Sequence, residues 1–304
     1  MLKEMNAAAK PQEEELQARL EEARKKLFAQ QLQLKEHKLP VLVLFEGWGA
    51  AGKGSTIGKI IKNIDPRFFK VATMSAPTEE ELRRPFLYRY FVQIPEAGKF
   101  TFLDGGWMEE ITKEVLDGKL SEKEYAQRID SVKRFERQLT DNGYLVLKFF
   151  FHISEKEQKK RLEALLDEKD TQWRVSGYDR WQNKHYDKCL KVFDRYLNDT
   201  NASTAPWYLI DAHSRKGAQL QVLEMLVQGI DVALQNSSLA VPLLQNTYPL
   251  QKMPKLAEIP LDKYMEDAEY EEELDRLQKK LGELHNQLYR KRIPLIIAYE
   301  GWDA

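Results

Sequence analysis

The stretch Phe45-Glu46-Gly47-Trp48-Gly49-Ala50-Ala51-Gly52-Lys53-Gly54-Ser55-Thr56 begins again near the other end of the chain, as Tyr299-Glu300-Gly301-Trp302-Asp303-Ala304. The offset from Gly47 to Gly301 is 254 positions, and it holds upstream without a gap. Pro40 matches Pro294, Leu34 matches Leu288, and Lys25-Lys26-Leu27 matches Lys279-Lys280-Leu281. A period that long marks duplicated domains rather than a solenoid. The chain therefore reads as one complete domain of roughly 230 residues followed by the opening of a second, truncated copy. One difference between the copies stands out: Gly49 occupies the place of Asp303.

Residues 12–36 carry Leu16, Leu20, Ala23 and Leu27 at helical spacing, so residues 1–38 are expected to hold an amphipathic helix, which residues 266–290 repeat. Val41–Phe45 is a continuous apolar run, as expected for a strand buried on both faces of a parallel sheet. Further strands are expected at Phe69–Met74, Lys99–Leu103, Tyr144–Ile153 and Trp207–Asp211. Helices are expected at Ser55–Ile64, Glu79–Gln93, Trp107–Leu116, Glu122–Asn142, Glu155–Asp167 and Lys216–Leu234. This alternation predicts an α/β fold over residues 39–235, with a mostly parallel sheet between two helical layers and a helical lid. Residues 236–265, with Pro242, Pro249, Pro254 and Pro260, read as a linker, and 266–304 as the start of the second domain.

Gly47-x-x-x-x-Gly52-Lys53 has phosphate-loop spacing and lies between an apolar run and a helix, as that chemistry requires. Small residues let backbone N–H groups turn inward around an anion, and the helix N-terminus adds partial positive charge. Gly47, Ala50, Ala51, Gly52, Lys53, Gly54 and Ser55 are the candidate phosphate-binding residues; a glycine-rich turn without a ligand is the bland alternative. The usual Ser/Thr after the lysine is displaced by Gly54. Asp104, at the end of a neighbouring strand, is either a carboxylate that holds Mg²⁺ or a helix N-cap. Lys159, Lys160, Arg161, Arg174 and Arg180 sit in a lid-like segment around Trp173, where phosphoryl transfer wants movable cations. For the residues before Asp170 a solvated charged helix is favoured, and for Arg174 and Arg180 a catalytic role. Arg83, Arg84 and Arg89 either line the same cleft or pair with Glu79-Glu80-Glu81. His152, inside an apolar strand, reads as a core histidine.

The formal net charge of −1 says little about anionic partners, since a local basic groove can hide in a balanced sum. The lack of a basic domain or a stacking motif argues against a nucleic-acid partner, despite the aromatics of Tyr178–Tyr186. No segment approaches the ~18 apolar residues of a membrane span. A single cysteine, Cys189, excludes an internal disulfide framework and suits the cytoplasm.

Four more stretches, together with the loop, resemble polyphosphate kinase family 2 in its tandem two-domain form. They are Ala76-Pro77-Thr78-Glu79-Glu80-Glu81, Phe149 to Gln158 followed by Arg161, Trp173-Arg174-Val175-Ser176, and Ala205-Pro206-Trp207-Tyr208. The resemblance implies a polyphosphate:AMP phosphotransferase using Mg²⁺, with inorganic polyphosphate and AMP/ADP as partners. It also suggests a homo-oligomer or intramolecular pairing of the two domains. Two departures matter. The family's loop resembles Gly-x-Asp-x-x-Gly-Lys-Gly, but that position here is Gly49. The loop's own carboxylate is therefore expected at Asp303 of the second copy, leaving Asp104 as the metal-side carboxylate of the first. The family's second motif resembles Asp-Arg-Ser-Trp-Tyr, but here it is Asp104-Gly105-Gly106-Trp107-Met108. Losing one charged group from a preorganised site commonly costs about 10²–10³ in rate, so this first domain is expected to be impaired. An ATP-dependent nucleoside-monophosphate kinase and a non-catalytic anion-binding or scaffold domain are the alternatives.

Overall fold

The computed structural model describes residues 13–236 and 264–301, together with Leu2, Lys255 and Glu258. The chain divides into two compact units, Met1–Val241 and Pro242–Ala304.

In the first unit, β1 (Val41–Gly47) is the middle strand because it is apolar on both faces. It is flanked by β3 (Phe100–Asp104) and β4 (Leu145–His152). Outside them lie β2 (Phe69–Thr73) and β5 (Trp207–Asp211), giving the order β2-β3-β1-β4-β5 with every neighbouring pair parallel. One helical layer contains α1 (Glu13–Glu36), α2 (Lys53–Ile61) and α10 (Arg215–Asn236), with α1 lying along α10. The other contains α5 (Trp107–Leu116), α6 (Glu122–Asp141) and α9 (Tyr186–Thr200). This is the expected parallel α/β arrangement.

Two local expectations need correction. The helix expected over Glu79–Gln93 is two short pieces, α3 (Glu79–Leu82) and α4 (Tyr88–Phe91). Pro85 lacks an N–H and clashes with the preceding turn, so it separates them. After α7 (Glu155–Asp167), a single 3₁₀ turn at Gln172–Arg174 leads into α8 (Gly177–Lys184) and then α9. The mixed aromatics and charges of 178–186 obscured α8. The helical spacing of the buried residues Tyr186, Cys189, Phe193, Tyr196 and Leu197 was the available signal for α9. The linker prolines 242, 249, 254 and 260 lie outside the described residues, as does Asp303.

β4 carries a charge through the core. The Lys148 side chain is fully buried; its Nζ donates to Glu136 Oε2 at 2.7 Å and to Thr200 O at 3.0 Å. Glu136 Oε1 in turn accepts from Trp107 Nε1 at 3.2 Å. The ammonium also lies 4.8 Å from the centre of the Trp207 ring. The pair joins α6, α9 and β5 to the central sheet through one polar node. Removing one partner strands the other as a buried charge, which typically costs 3–5 kcal/mol. Lys148→Met is therefore expected to lower the unfolding free energy by about 3–5 kcal/mol in urea titrations. Adding Glu136→Leu should recover a large part of that loss.

In the second unit, α11 (Asp267–Lys291) repeats the pattern of α1, but its described residues are mostly exposed. Residues 293–301 form no strand.

A phosphate-loop cleft and its closed helix

β1 leaves the sheet at Gly47, whose φ of +125° belongs to the left-handed side of the map. A Cβ there would lie 2.3 Å from Phe151 O, so only glycine fits. Trp48 then turns inward and is fully buried. Its ring stacks on Tyr186 at 3.9 Å, and its Nε1 donates to His152 Nδ1 at 3.0 Å. His152 is thus a satisfied, partly buried histidine. An indole N–H can only donate, so Nδ1 must be the unprotonated nitrogen. Burial, the largest effect, lowers the His152 pKa and favours that neutral form.

The loop proper has Ala50 at φ +59° and Gly52 at φ +101°. Arg161, buried in α7, braces it from outside: NH1 donates to Ala51 O at 3.1 Å and NH2 donates to Ala212 O at 2.8 Å and His213 O at 3.0 Å. With Ala51 O held outward by Arg161, the end of the loop runs into the open N-terminus of α2, whose first N–H groups face the cleft. This buried bracing role differs from the solvated helix favoured for residues before Asp170. Lys53 begins α2, and its Nζ donates to Gly47 O and Trp48 O, each at 3.1 Å.

Asp104 ends β3 opposite Phe45 of β1. Burial raises its pKa, and the charge of Lys53 works against that rise. Its Oδ2 lies 3.0 Å from where a Cβ on Gly54 would sit. The glycine that displaces the usual Ser/Thr therefore lets the carboxylate approach the first turn of α2.

Glu46, not selected from sequence, is 2% exposed. Its Oε1 accepts from Met108 N at 3.1 Å and Glu109 N at 3.3 Å, at the start of α5. Gly106 makes room, because a Cβ there would meet Leu44 Cδ1 at 2.4 Å and Glu46 Oε1 at 3.1 Å. Burial, helped by the charge of Glu109 and opposed by Lys53, pushes the Glu46 pKa up to about 8. A carboxylate closing an apolar strand, kept as Glu300 in the repeat, was the overlooked signal.

The structure brings Gly47, Gly49, Lys53 and Glu46 together with Glu109, Asp179 and Gln182 around a cavity of about 30 Å³. Arg174 and Arg180 do not line it. Both are exposed, and the Arg174 guanidinium lies 5.4 Å from the centre of the Trp173 ring. Arg84 pairs with Glu80 at 2.9 Å. Arg89 is buried with Glu81 and Glu110 at 3.8 and 3.9 Å. Asp179 and Gln182 were not singled out from sequence, and Gln158 entered only as the end of the stretch from Phe149. Two glutamines and an aspartate at the third position of a helix have no pattern of their own.

Glu46 predicts a pH dependence of stability. Its folded pKa is raised, so the folded state holds a proton that the unfolded chain has released. This contribution is fully present below the unfolded value and is lost as pH rises towards about 8. Glu46→Gln cannot ionise and should flatten that part of the curve of Tm against pH.

Comparisons with known proteins agree with this fold. The model of the family "Polyphosphate kinase 2" matches residues 10–238. The polyphosphate:AMP phosphotransferase of Pseudomonas aeruginosa is 31% identical over 290 residues, covering 93% of this chain and 58% of that protein. This chain thus spans somewhat more than half of that relative's length. The AMP/ADP-polyphosphate phosphotransferase of Meiothermus ruber is 30% identical over 216 residues, covering 71% of this chain and 79% of that protein. The solved polyphosphate kinase 2 of Arthrobacter aurescens superposes with a TM-score of 0.64 at 28% identity, covering 77% of this chain and 80% of that one. With a parallel sheet, a phosphate loop opening α2, and a family match across most of the first unit, the chain belongs to the polyphosphate kinase 2 family.

Proposed function

We propose that the whole protein moves the terminal phosphoryl group of inorganic polyphosphate onto AMP, giving ADP and a chain shorter by one phosphate. The same reading gives the first unit an impaired, phosphate-holding or architectural role, with Asp303 heading the active copy. The observation that carries it is the mixed state of the first loop. Its glycine turn, Lys53 and Asp104 adjoin the first turn of α2, which supports phosphate holding, while Gly49 and Gly105 supply no side chain where the family motif has Asp and Arg.

Phosphoryl transfer depends mainly on positioning and on neutralising charge. Lys53 would neutralise part of the charge on a bound chain, and the first N–H groups of α2 would hold its oxygens. A divalent ion such as Mg²⁺ takes one or two carboxylates and fills its remaining positions with phosphate oxygens and water. Asp104, beside the first turn of α2, would hold it, and the ion would shield the phosphate oxygens. Gly105 cannot clamp a phosphate, and the nearest side-chain atom to its missing Cβ is Glu109 Oε2, at 3.2 Å. That replaces a cation with an anion and disfavours transfer here. A cytoplasmic location and pairing, either between copies or between the two domains, complete the proposal.

In the whole protein, Lys53→Ala should leave the rate of ADP formation from polyphosphate and AMP within about twofold. Replacing Asp303 by Asn should lower it about 10²–10³-fold, as loss of one electrostatic group does. The reverse ranking in a coupled ADP assay would sink the assignment of the two copies.

A further inference from the structure

Gly49 has no left-handed φ, so its backbone does not call for glycine. What calls for it is a neighbour. A Cβ at position 49 would lie 2.1 Å from Asp179 Oδ1 and 2.8 Å from its Cγ. Asp179 cannot easily move aside, because it completes the capping box of α8. Its Oδ2 accepts from Ser176 N at 2.8 Å and from Ser176 Oγ at 2.6 Å. The carboxylate therefore projects Oδ1 into the hollow that the missing side chain leaves.

One turn further on, Gln182 fastens the same helix to the loop. Its Oε1 accepts from Gly49 N at 2.9 Å and from Gln158 Nε2 at 2.7 Å. Gln158 Nε2 also reaches Gly49 O at 3.3 Å. Both glutamines are buried, so breaking this network exposes or orphans polar groups. The space left between α8 and the loop, about 30 Å³, is room for a water molecule or so and too little for a phosphate chain. Asp179, Glu109 and Glu46 also line it, opposite one lysine.

We propose that α8 is a latch closed on the phosphate loop, seated in the hollow left by glycine at 49 and fastened by the Gln158–Gln182–Gly49 network. A phosphate chain running past Gly49 enters only when α8 lifts. The position that lacks a carboxylate is thus a position rebuilt to receive one from α8. This consequence for phosphate rests on the reading of the loop given above, whereas the latch itself does not.

The test uses the full chain, hydrogen exchange of the α8 and Gly49 amides, and calorimetric binding of inorganic tripolyphosphate without metal. Gln182→Ala removes the fastening, and Gly49→Ala drives a methyl group into Asp179. Each should speed α8 exchange at least tenfold and tighten tripolyphosphate binding about tenfold, because apparent affinity scales with the open fraction. Adding Asp179→Ala to Gly49→Ala removes the carboxylate atoms that collide and should slow exchange in the last turn of α8, around Gln182, relative to Gly49→Ala alone. Wild-type exchange rates in both single variants would overturn the latch, as would equal tripolyphosphate affinity in all forms that bind it. Faster exchange with no tripolyphosphate bound by any form would support the latch and count against the phosphate reading.

Discussion

The cleft depends on one close approach, that of Gly47 to the backbone of Phe151. β1 and β4 run parallel through seven paired positions, and the pairing ends where Gly47 meets Phe151. With no Cβ to hold the strands apart, the chain leaves the sheet immediately, and Trp48 N donates back to Phe151 O at 3.2 Å. The turn throws the Trp48 ring against Tyr186 and Phe193 of α9 and its N–H onto His152. The loop is therefore anchored at its start by the sheet and the helix layer together. Arg161 then holds its middle to the turn after β5. A loop fixed at these places is preorganised, which is what an anion cradle requires.

On that rigid frame, the electrostatics of the cleft are set by what faces the glycines. Two positions of the family motif that would carry charge are Gly49 and Gly105, and each hollow faces a carboxylate, Asp179 Oδ1 or Glu109 Oε2. At Gly105 a carboxylate stands near the place of a guanidinium, so the local change in sign is larger than simple deletion. At Gly49 the charge type is kept, but its carrier changes from the rigid loop to a helix of eight residues. A ligand delivered on a separate helix is coupled to the movement of that helix. Under the proposed latch, glycine at 49 would act on both chemistry and access.

The parallel core was readable because its cause is local: continuous apolar runs bounded by turn residues predict buried strands wherever they occur. Gly47, Gly52 and Lys53 were readable for the same reason, since spacing along the chain fixes their relation. The Lys148–Glu136 node and the hold of Arg161 on the loop were not. Each joins groups whose contact depends on how separate elements pack, and single-residue identity carries no trace of the partner. Glu79–Gln93 shows the opposite failure: its helical composition was visible, but Pro85 prevailed over it. Asp179 was passed over because a short polar residue near the start of a helix has an ordinary capping role, which it also performs.

The repeat shows how far such local reading reaches. Val41–Phe45 and Leu295–Tyr299 occupy equivalent positions and carry similar apolar runs. The first is at most 1% exposed, whereas Ile296 is 92% exposed and no strand forms around it. In the first unit, Val41 pairs with Phe100 and Leu145, from strands far along the chain. Among the described residues of the second unit no such strands exist. An isolated apolar segment has neither ladder partners nor a surface to bury against, so β propensity alone cannot hold it in a sheet. The same holds for α11, whose Leu274, Leu277, Leu281 and Leu284 repeat the buried stripe of α1 but remain exposed. An apolar pattern specifies which face an element can bury; the burial itself comes from the partner elements, and the phosphate loop inherits its shape only where those partners are in place.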